Sequence, residues 1–163
     1  MAEYTSRSFD LLTLGQLLLR LSPPDNDRLS RGDTFVKQVG GAELNVAVGA
    51  SLLGLRTGVI SKLPSHDIGS FMKGKIRSFG VSDDFFMYDD SPSARVGIYY
   101  YENGAYPRKP KVIYDRMNSS FFSLNIDEIP KEVYTASKCF HTTGITLALS
   151  PQIRETTIEM IKR

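Results

Sequence analysis

Tryptophan is absent from the chain, cysteine occurs once and histidine twice. The single cysteine, Cys139, excludes a disulfide framework and a cysteine-rich metal site. The lone pair His66-Asp67 does not make a metal site either. No apolar run approaches the roughly 20 residues that a membrane-spanning helix needs. The stretch Leu11 to Leu21 is short, is interrupted by Gly15, Gln16 and Arg20, and does not read as a signal peptide. Lys and Arg number 20 against 18 Asp and Glu, a formal net charge of +2, and no basic run stands out. Neither nucleic acid nor a membrane is therefore an expected partner. No internal repeat or low-complexity tract is visible. These absences leave a chain of 163 residues that can bury a real core as one domain, read as a soluble cytoplasmic protein.

What is present centres on Gly40 to Gly54. Two adjacent glycines separate an apolar run ending at Val39 from a segment with helical apolar spacing. Glycines without a Cβ let backbone N–H groups approach a ligand, and a helix starting just after them points its unpaired donors and positive end at the same place. Asn45, in the first turn, can donate and accept hydrogen bonds. The small residues Ala47, Gly49, Ala50 and Ser51 allow this helix to lie close against a sheet. By itself the pattern also fits a tight strand-to-helix turn with no ligand.

Around it the chain reads as alternating strands and helices. Strands are expected at Ser8 to Leu14, Leu17 to Leu21, Thr34 to Val39, Arg56 to Lys62 and Phe85 to Tyr88, and a helix at Ile68 to Phe79, stopped by Gly80. The βαβαβ order predicts a parallel sheet with right-handed crossovers. Ala94 to Tyr101 and Lys111 to Asp115 instead read as a hairpin. With Leu17–Leu21 and Thr34–Val39 they form an expected separate small antiparallel sheet. A short helix around Lys131–Thr135 precedes a further core strand, Lys138 to Thr142. Ser150-Pro151 supplies an N-cap and a first helical position for a last helix. Because one helical segment alone follows the last strand, whereas an open parallel sheet places its ligand across a switch point flanked by strands, the chain reads as the N-terminal part of a longer one.

Gly15 to Pro24, Gly40 to Leu55, Lys62-Leu63-Pro64, Gly97-Ile98-Tyr99, Val112 to Arg116 and His141 to Ser150 occur in an order that resembles the N-terminal half of ribokinase-like (PfkB) sugar kinases. Within that family the chain is most similar to 2-keto-3-deoxygluconate kinases. The resemblance covers nearly the whole chain from Phe9. It implies an α/β fold, a ribokinase-like three-layer α/β/α core with a partial, truncated parallel sheet and a small β-sheet lid over the sugar site. Lid strands are expected near 17–21, 34–39, 94–101 and 111–115, within a single partial kinase domain over 1–163. It further implies transfer of the ATP γ-phosphate, with Mg²⁺, to a sugar-acid hydroxyl. The nucleotide-binding segments, the Gly-rich anion hole and the general base are expected in an absent C-terminal half, so no catalytic residue is expected here and the piece alone should be inactive. The resemblance also implies a homo-oligomer, a dimer through the lid. Gln16 stands where many members carry Glu. Arg20 and Ala42 stand where ribokinases carry a sugar-binding Asp and a Lys, and Glu43 at a position small in ribokinases, which argues against ribose.

The resemblance carries six substrate-binding positions onto this chain: Gly40, Gly41, Asn45, Tyr99, Tyr114 and Arg116. Tyr114 and Arg116 are two apart, so in an extended strand they share a face. Arg grips a carboxylate with two parallel bonds and tyrosine hydroxyls add neutral ones. The alternatives are that Asn45 caps the helix, that Arg116 is a surface group paired with Asp115 or Glu102, and that the tyrosines merely cover the lid's apolar face. His141 is read as a core-edge residue satisfied by backbone partners, Cys139 as a small buried hydrophobe and Arg108 to Lys111 as a solvated loop. The competing functional readings are another PfkB kinase such as a fructokinase, or a non-catalytic sugar-binding or oligomerisation module.

Overall fold

A computed structural model describes residues 8–163 of the chain. Its strands in chain order are β1 (Phe9–Leu14), β2 (Leu18–Ser22), β3 (Val36–Gly40), β4 (Thr57–Pro64), β5 (Val81–Ser82), β6 (Phe86–Asp89), β7 (Gly97–Glu102), β8 (Lys111–Asp115) and β9 (Ser137–His141). The helices are α1 (Ala42–Leu52), α2 (Asp67–Arg77), α3 (Val133–Ala136), α4 (Gly144–Leu147) and α5 (Pro151–Lys162). Each expected strand and helix is present, with ends shifted by a few residues. The two-residue strand β5 is too short to carry a period of its own.

The core sheet has the order β5-β4-β1-β9, with β6 paired beside the far end of β4, and every pairing in it is parallel. One face buries Val59 and Leu63 against Leu44 and Ala47 of α1 and Met72 and Ile76 of α2. The other buries Leu12, Leu14 and Ile60 under Phe121, Leu124, Ile129 and the α5 residues Ile153 and Met160. This is the expected three-layer arrangement. Helix ends are set locally. His66 Nδ1 accepts from the Ile68 N–H at 3.2 Å to cap α2, and Ser150 Oγ accepts from the Ile153 N–H at 3.2 Å to cap α5. Of the small residues in α1, Ala47 meets the sheet, while Gly49 lies on the outer side with open space around it.

The second sheet has the order β3-β2-β7-β8. It is mixed, which corrects the all-antiparallel expectation: β2–β3 and β7–β8 are antiparallel, but β2 and β7 run parallel. The reason is topological. β2 continues outward from β1, and β7 follows β6, another strand of the parallel core. Both leave the core in one direction, and each returns through its own antiparallel partner.

Three smaller expectations also fail. Cys139 is exposed, because among the described residues β9 pairs with β1 alone and has one open side. Arg108 is not solvated: it ion-pairs with Glu102 at 3.1 Å and donates to the Asn26 and Asn103 carbonyls, tying the hairpin loop to the lid. His141 is not satisfied: its Nε2 is buried with no hydrogen-bond partner among the described residues.

Candidate functional site

β1 ends at Gly15 and the chain turns into the lid through Gln16, which is 3 % exposed. Gln16 uses both ends of its amide. Its Nε2 donates to Ser119 Oγ at 2.7 Å and to the Arg116 carbonyl at 3.1 Å, and its Oε1 accepts from Arg116 Nε at 2.8 Å and Nη2 at 2.6 Å. The Arg116 fork is thereby fixed by a neutral group, and its Nη1 has no protein partner among the described residues. Burial pulls the Arg116 guanidinium below its ordinary pKa, opposed by the nearby Tyr114 and Glu43. It remains cationic in a place that penalises the cation.

Asp115 and Glu102, the alternative partners for Arg116, are taken: Asp115 pairs with Arg95 at 2.8 Å and Glu102 with Arg108 at 3.1 Å. Arg20 is also without a carboxylate among the described residues. Its Nε donates to Ser22 Oγ at 2.9 Å and its guanidinium carbon lies 4.2 Å from the centre of the Tyr101 ring.

The glycine pair closes the other wall. Gly41 has φ +150°, and a Cβ there would lie 2.8 Å from the Gln16 carbonyl oxygen, so the turn excludes other residues. Gly41 is the N-cap position of α1 and offers no side-chain cap, which leaves first-turn N–H groups for a ligand. Asn45 does not cap the helix; it is exposed and its side chain lines the pocket. Gly40 does not line the pocket. A Cβ there would lie 2.5 Å from the Tyr99 hydroxyl, so Gly40 makes room for Tyr99.

Gly41, Asn45, Tyr99, Tyr114 and Arg116 thus face one pocket of about 310 Å³ between α1 and the lid. The lid register explains their meeting. Arg20 lies beside Tyr99 on β2 and β7, and Tyr99 beside Tyr114 on β7 and β8. Alternation keeps Leu18, Arg20, Tyr99, Tyr101, Val112 and Tyr114 on one face. The Tyr99 and Tyr114 rings are 5.9 Å apart. Burial pushes the Tyr99 hydroxyl above its ordinary pKa, against the pull of Arg20, so it stays a neutral donor at neutral pH.

The pocket also contains Gln16, Arg20, Glu43, Tyr101 and Ile145, which the sequence reading did not assign to it. Signals were available: Arg20 stands where ribokinases carry a sugar-binding Asp and alternates with Leu19 and Leu21, and Tyr101 stands two residues from Tyr99. Glu43 had no such signal. Its carboxylate is 2 % exposed, and Oε1 accepts from the Thr143 N–H, Thr143 Oγ1 and Thr146 Oγ1 at 3.1, 2.6 and 2.7 Å. This bond set ties α1 to the turn that carries Ile145.

The family model described as "pfkB family carbohydrate kinase" matches residues 8–163. The chain is 39% identical over 153 residues to the 2-dehydro-3-deoxygalactonokinase of Haloferax volcanii, covering 94% of this chain and 47% of that protein. It is 28% identical over 160 residues to the 5-dehydro-2-deoxygluconokinase of Listeria innocua, covering 98% of this chain and 48% of that one. The crystal structure of 2-dehydro-3-deoxygluconokinase from Thermotoga maritima superposes with a TM-score of 0.89 at 34% identity, over 94% of this chain and 47% of that chain. The chain spans about half the length of the curated relatives it matches.

Proposed function

The chain belongs to the pfkB family of carbohydrate kinases, and on that premise we propose that it forms the substrate-binding part of an ATP-dependent kinase for 2-keto-3-deoxygluconate or an isomeric keto-deoxy sugar acid. The observation that carries this reading is the Arg116 fork, aligned by the neutral Gln16 amide and left without a direct ion-pair partner among the described residues inside a partly buried pocket. A substrate carboxylate supplies the missing anion and accepts the charge-assisted bonds that a neutral sugar cannot. The relatives named above act on keto-deoxy sugar acids by their names, which supports the class and leaves the isomer open. Tyr99 and Tyr114 donate to further oxygens, and the α1 N-terminus with Asn45 receives the hydroxyls.

Phosphoryl transfer depends mainly on positioning and charge stabilisation. In this reading the present residues do the positioning: Arg116 anchors one end of the acid, the glycine turn orients its hydroxyls, and the lid tyrosines cover it from water. ATP supplies the phosphoryl group. Among the described residues no cluster of His, Cys, Asp or Glu could hold a metal ion. Mg²⁺ belongs to this reading as an ion held by nucleotide phosphates and water, and no step is routed through it. Nucleotide contacts and the general base are assigned to the part of the relatives that this chain does not span, so the 163-residue chain alone binds the acid without turning it over. No described helix is long and apolar enough to cross a membrane, and a cytoplasmic location goes with the use of ATP. A dimer through the lid is part of the same reading, supported by the exposed apolar side chains Phe35, Val36 and Ile113.

The test is a calorimetric titration of the chain with 2-keto-3-deoxygluconate and with fructose, before and after Arg116→Lys. Lysine keeps the charge and loses the planar fork. Affinity for the acid should fall about 10- to 100-fold, the range of a lost hydrogen bond to a charged group, while fructose, already weak, should change little. An unchanged ratio between the two ligands would remove Arg116 as the carboxylate clamp. A coupled assay with ATP, Mg²⁺ and the acid should show no turnover by this chain above buffer.

A further inference from the structure

Among the described residues the core sheet has one open strand, β9, which pairs with β1 alone. None of its five residues is buried, whereas all eight of β4 are. The helices on both faces of the sheet turn apolar side chains toward that open side. On α1, Val48 packs into the core cluster shared with α2, and Ser51 Oγ donates to the Phe79 carbonyl just beyond α2 at 3.0 Å. At about 100° per residue, Val46, Ala50 and Leu53 fall on the other side of the helix. That is also the side of Glu43, which bonds to Thr143 and Thr146 beyond β9. On α5, Gln152 Nε2 donates to the Ser123 and Leu124 carbonyls at 3.3 and 3.2 Å, next to Phe121, which clusters with Ile60 of β4. Ile158 and Ile161 lie on the opposite side of α5, away from β4, and both are exposed.

An open strand flanked in this way fits a second copy, edge to edge, or a different polypeptide. Spacing decides between them. α1 lies over β1 and β4, so its axis is about one and a half strand spacings, roughly 7 Å, to the side of β9. Two-fold pairing of β9 with its copy would leave the two α1 axes about 19 Å apart, twice the roughly 8–10 Å of packed helices. Val46 and Leu53 would then face a gap one helix wide. An added strand carrying its own helix closes the gap, because a helix about 10 Å from α1 lies above the junction of β9 and the new strand. Strands covered by helices on both faces pair in parallel, as every pair in this sheet does. The chain spans about half the length of the curated relatives it matches, so the other half of such a kinase is of a size to supply these elements.

We propose that β9, the Val46 and Leu53 side of α1 and the Ile158 and Ile161 side of α5 form a docking surface for a separate polypeptide, the half of a pfkB kinase that this chain does not span. That polypeptide adds a strand parallel to β9 and seats a helix against α1, and the two pieces form one sandwich without a peptide link between them. The proposal rests on the reading above, which assigns the nucleotide contacts to that half, and adds the surface on which it docks. Apolar contact and strand pairing hold the complex, since the Lys138 ammonium on this face is already paired with Asp10 at 2.7 Å. High salt should therefore leave it intact.

The test co-expresses the tagged 163-residue chain with the part of the Thermotoga maritima 2-dehydro-3-deoxygluconokinase that it leaves uncovered. The two should co-purify as a one-to-one complex. Cys139, the single cysteine of the chain, should react with a maleimide about tenfold more slowly in the complex than in the chain alone, as read by mass spectrometry. Leu53→Lys and Ile161→Lys, at side chains 85% and 56% exposed, place a cation where the docked half would bury it. A lysine suits the helix C-termini at which they stand, so melting of the chain alone should stay as in the parent. Each should weaken the complex about tenfold or more. Leu52→Lys, 75% exposed and one residue away on the outward side of α1, should leave it within about twofold. Absence of co-purification overturns the proposal, and so does a complex that Leu52→Lys and Leu53→Lys weaken equally. A chain that scatters as a dimer by itself with Cys139 protected gives the face to a second copy and overturns it too. A complex that forms as expected but does not phosphorylate 2-keto-3-deoxygluconate with ATP upholds the docking surface and brings down the sugar-acid reading alone.

Discussion

Every residue of β4 is buried and every residue of β8 is exposed. The two strands show what each sheet is for. β4 lies between layers of helices, so its side chains are chosen by packing, and even Lys62 is tucked in against Glu128 at 2.5 Å. β8 is the outer strand of a lid with a pocket on one face. Its Val112, Tyr114 and the following Arg116 line that pocket. The core layers pair charges among themselves, as at Asp83 in the β5–β6 connection, which Arg77 and Lys73 of α2 approach at 2.6 and 3.2 Å. The pocket face of the lid leaves two guanidiniums without an ionic partner among the described residues. In the proposed reading, stability resides mainly in the first sheet and recognition in the second.

The largest expected effect breaks that contrast from the core side. Leu12→Ala in β1, at a side chain with no exposure, should cost about 2–5 kcal/mol. Val112→Ala on the lid, at 41% exposure, should stay within roughly 0.5 kcal/mol. Urea titrations of both variants decide it, and equal losses would make the lid a load-carrying part of the core.

A second test moves one charge at the Arg116 fork. Gln16→Glu places a carboxylate against Arg116 and gives up the Nε2 donations to Ser119 Oγ and the Arg116 carbonyl. The chain should melt at a lower temperature, and its affinity for 2-keto-3-deoxygluconate, measured well below that temperature, should fall roughly tenfold, about the size of one charge-assisted hydrogen bond. Calorimetry on the variant checks this, and unchanged affinity would show that the free charge of Arg116 is not what draws the acid.

The ion pairs of the core predict an acid limb. Burial raises the pKa of Asp83, but its bonds to Arg77 and Lys73 outweigh that and hold it below its usual value. A depressed folded pKa means stability that is complete above the unfolded value near 3.8 and is lost as the pH falls through the folded one. Asp83→Asn should flatten that limb and cost about 1–2 kcal/mol at neutral pH, reduced from the buried-pair range because the Arg77 side chain is mostly exposed. Melting curves between pH 2 and pH 7 test it. An acid limb identical to the parent's would reassign the loss to other carboxylates.

The smallest effect on stability is expected at Ile113, on the lid face away from the pocket. Ile113→Lys should change the unfolding free energy by less than about 0.5 kcal/mol and should lower the mass seen by light scattering if the lids pair. A parent that scatters as a monomer at high micromolar concentration would remove the proposed dimer.

Much of the fold was legible because its signals are local and redundant. The apolar runs of β1 and β4, the Ser150-Pro151 start of α5 and the stop at Gly80 each involve a few adjacent residues. What was not legible depends on distance. The parallel pairing of β2 with β7 follows from how two hairpins leave the core, and no run of residues encodes it. Cys139 reads as a core residue by type and is exposed because β9 has one open side among the described residues. At the pocket, the resemblance placed Gly41, Asn45, Tyr99, Tyr114 and Arg116 and the geometry brings those five together, whereas Gly40 turns out to make space for Tyr99. Glu43 was legible only as a departure from ribokinases, and its place in the pocket was not, since its partners Thr143 and Thr146 lie a hundred or more residues away.

Those long spans have a kinetic meaning. Gln16 and Arg116 are 100 residues apart, and so are Glu43 and Thr143. Contacts of such separation are closed late, because the loop entropy must be overcome before the contact returns anything. The individual strands and helices can form early, but the pocket exists only after both closures. Acquisition of ligand binding during refolding should therefore trail the recovery of far-ultraviolet ellipticity. A chain stopped short of Thr143 during synthesis would have most of its lid in place and no finished site for a ligand to enter.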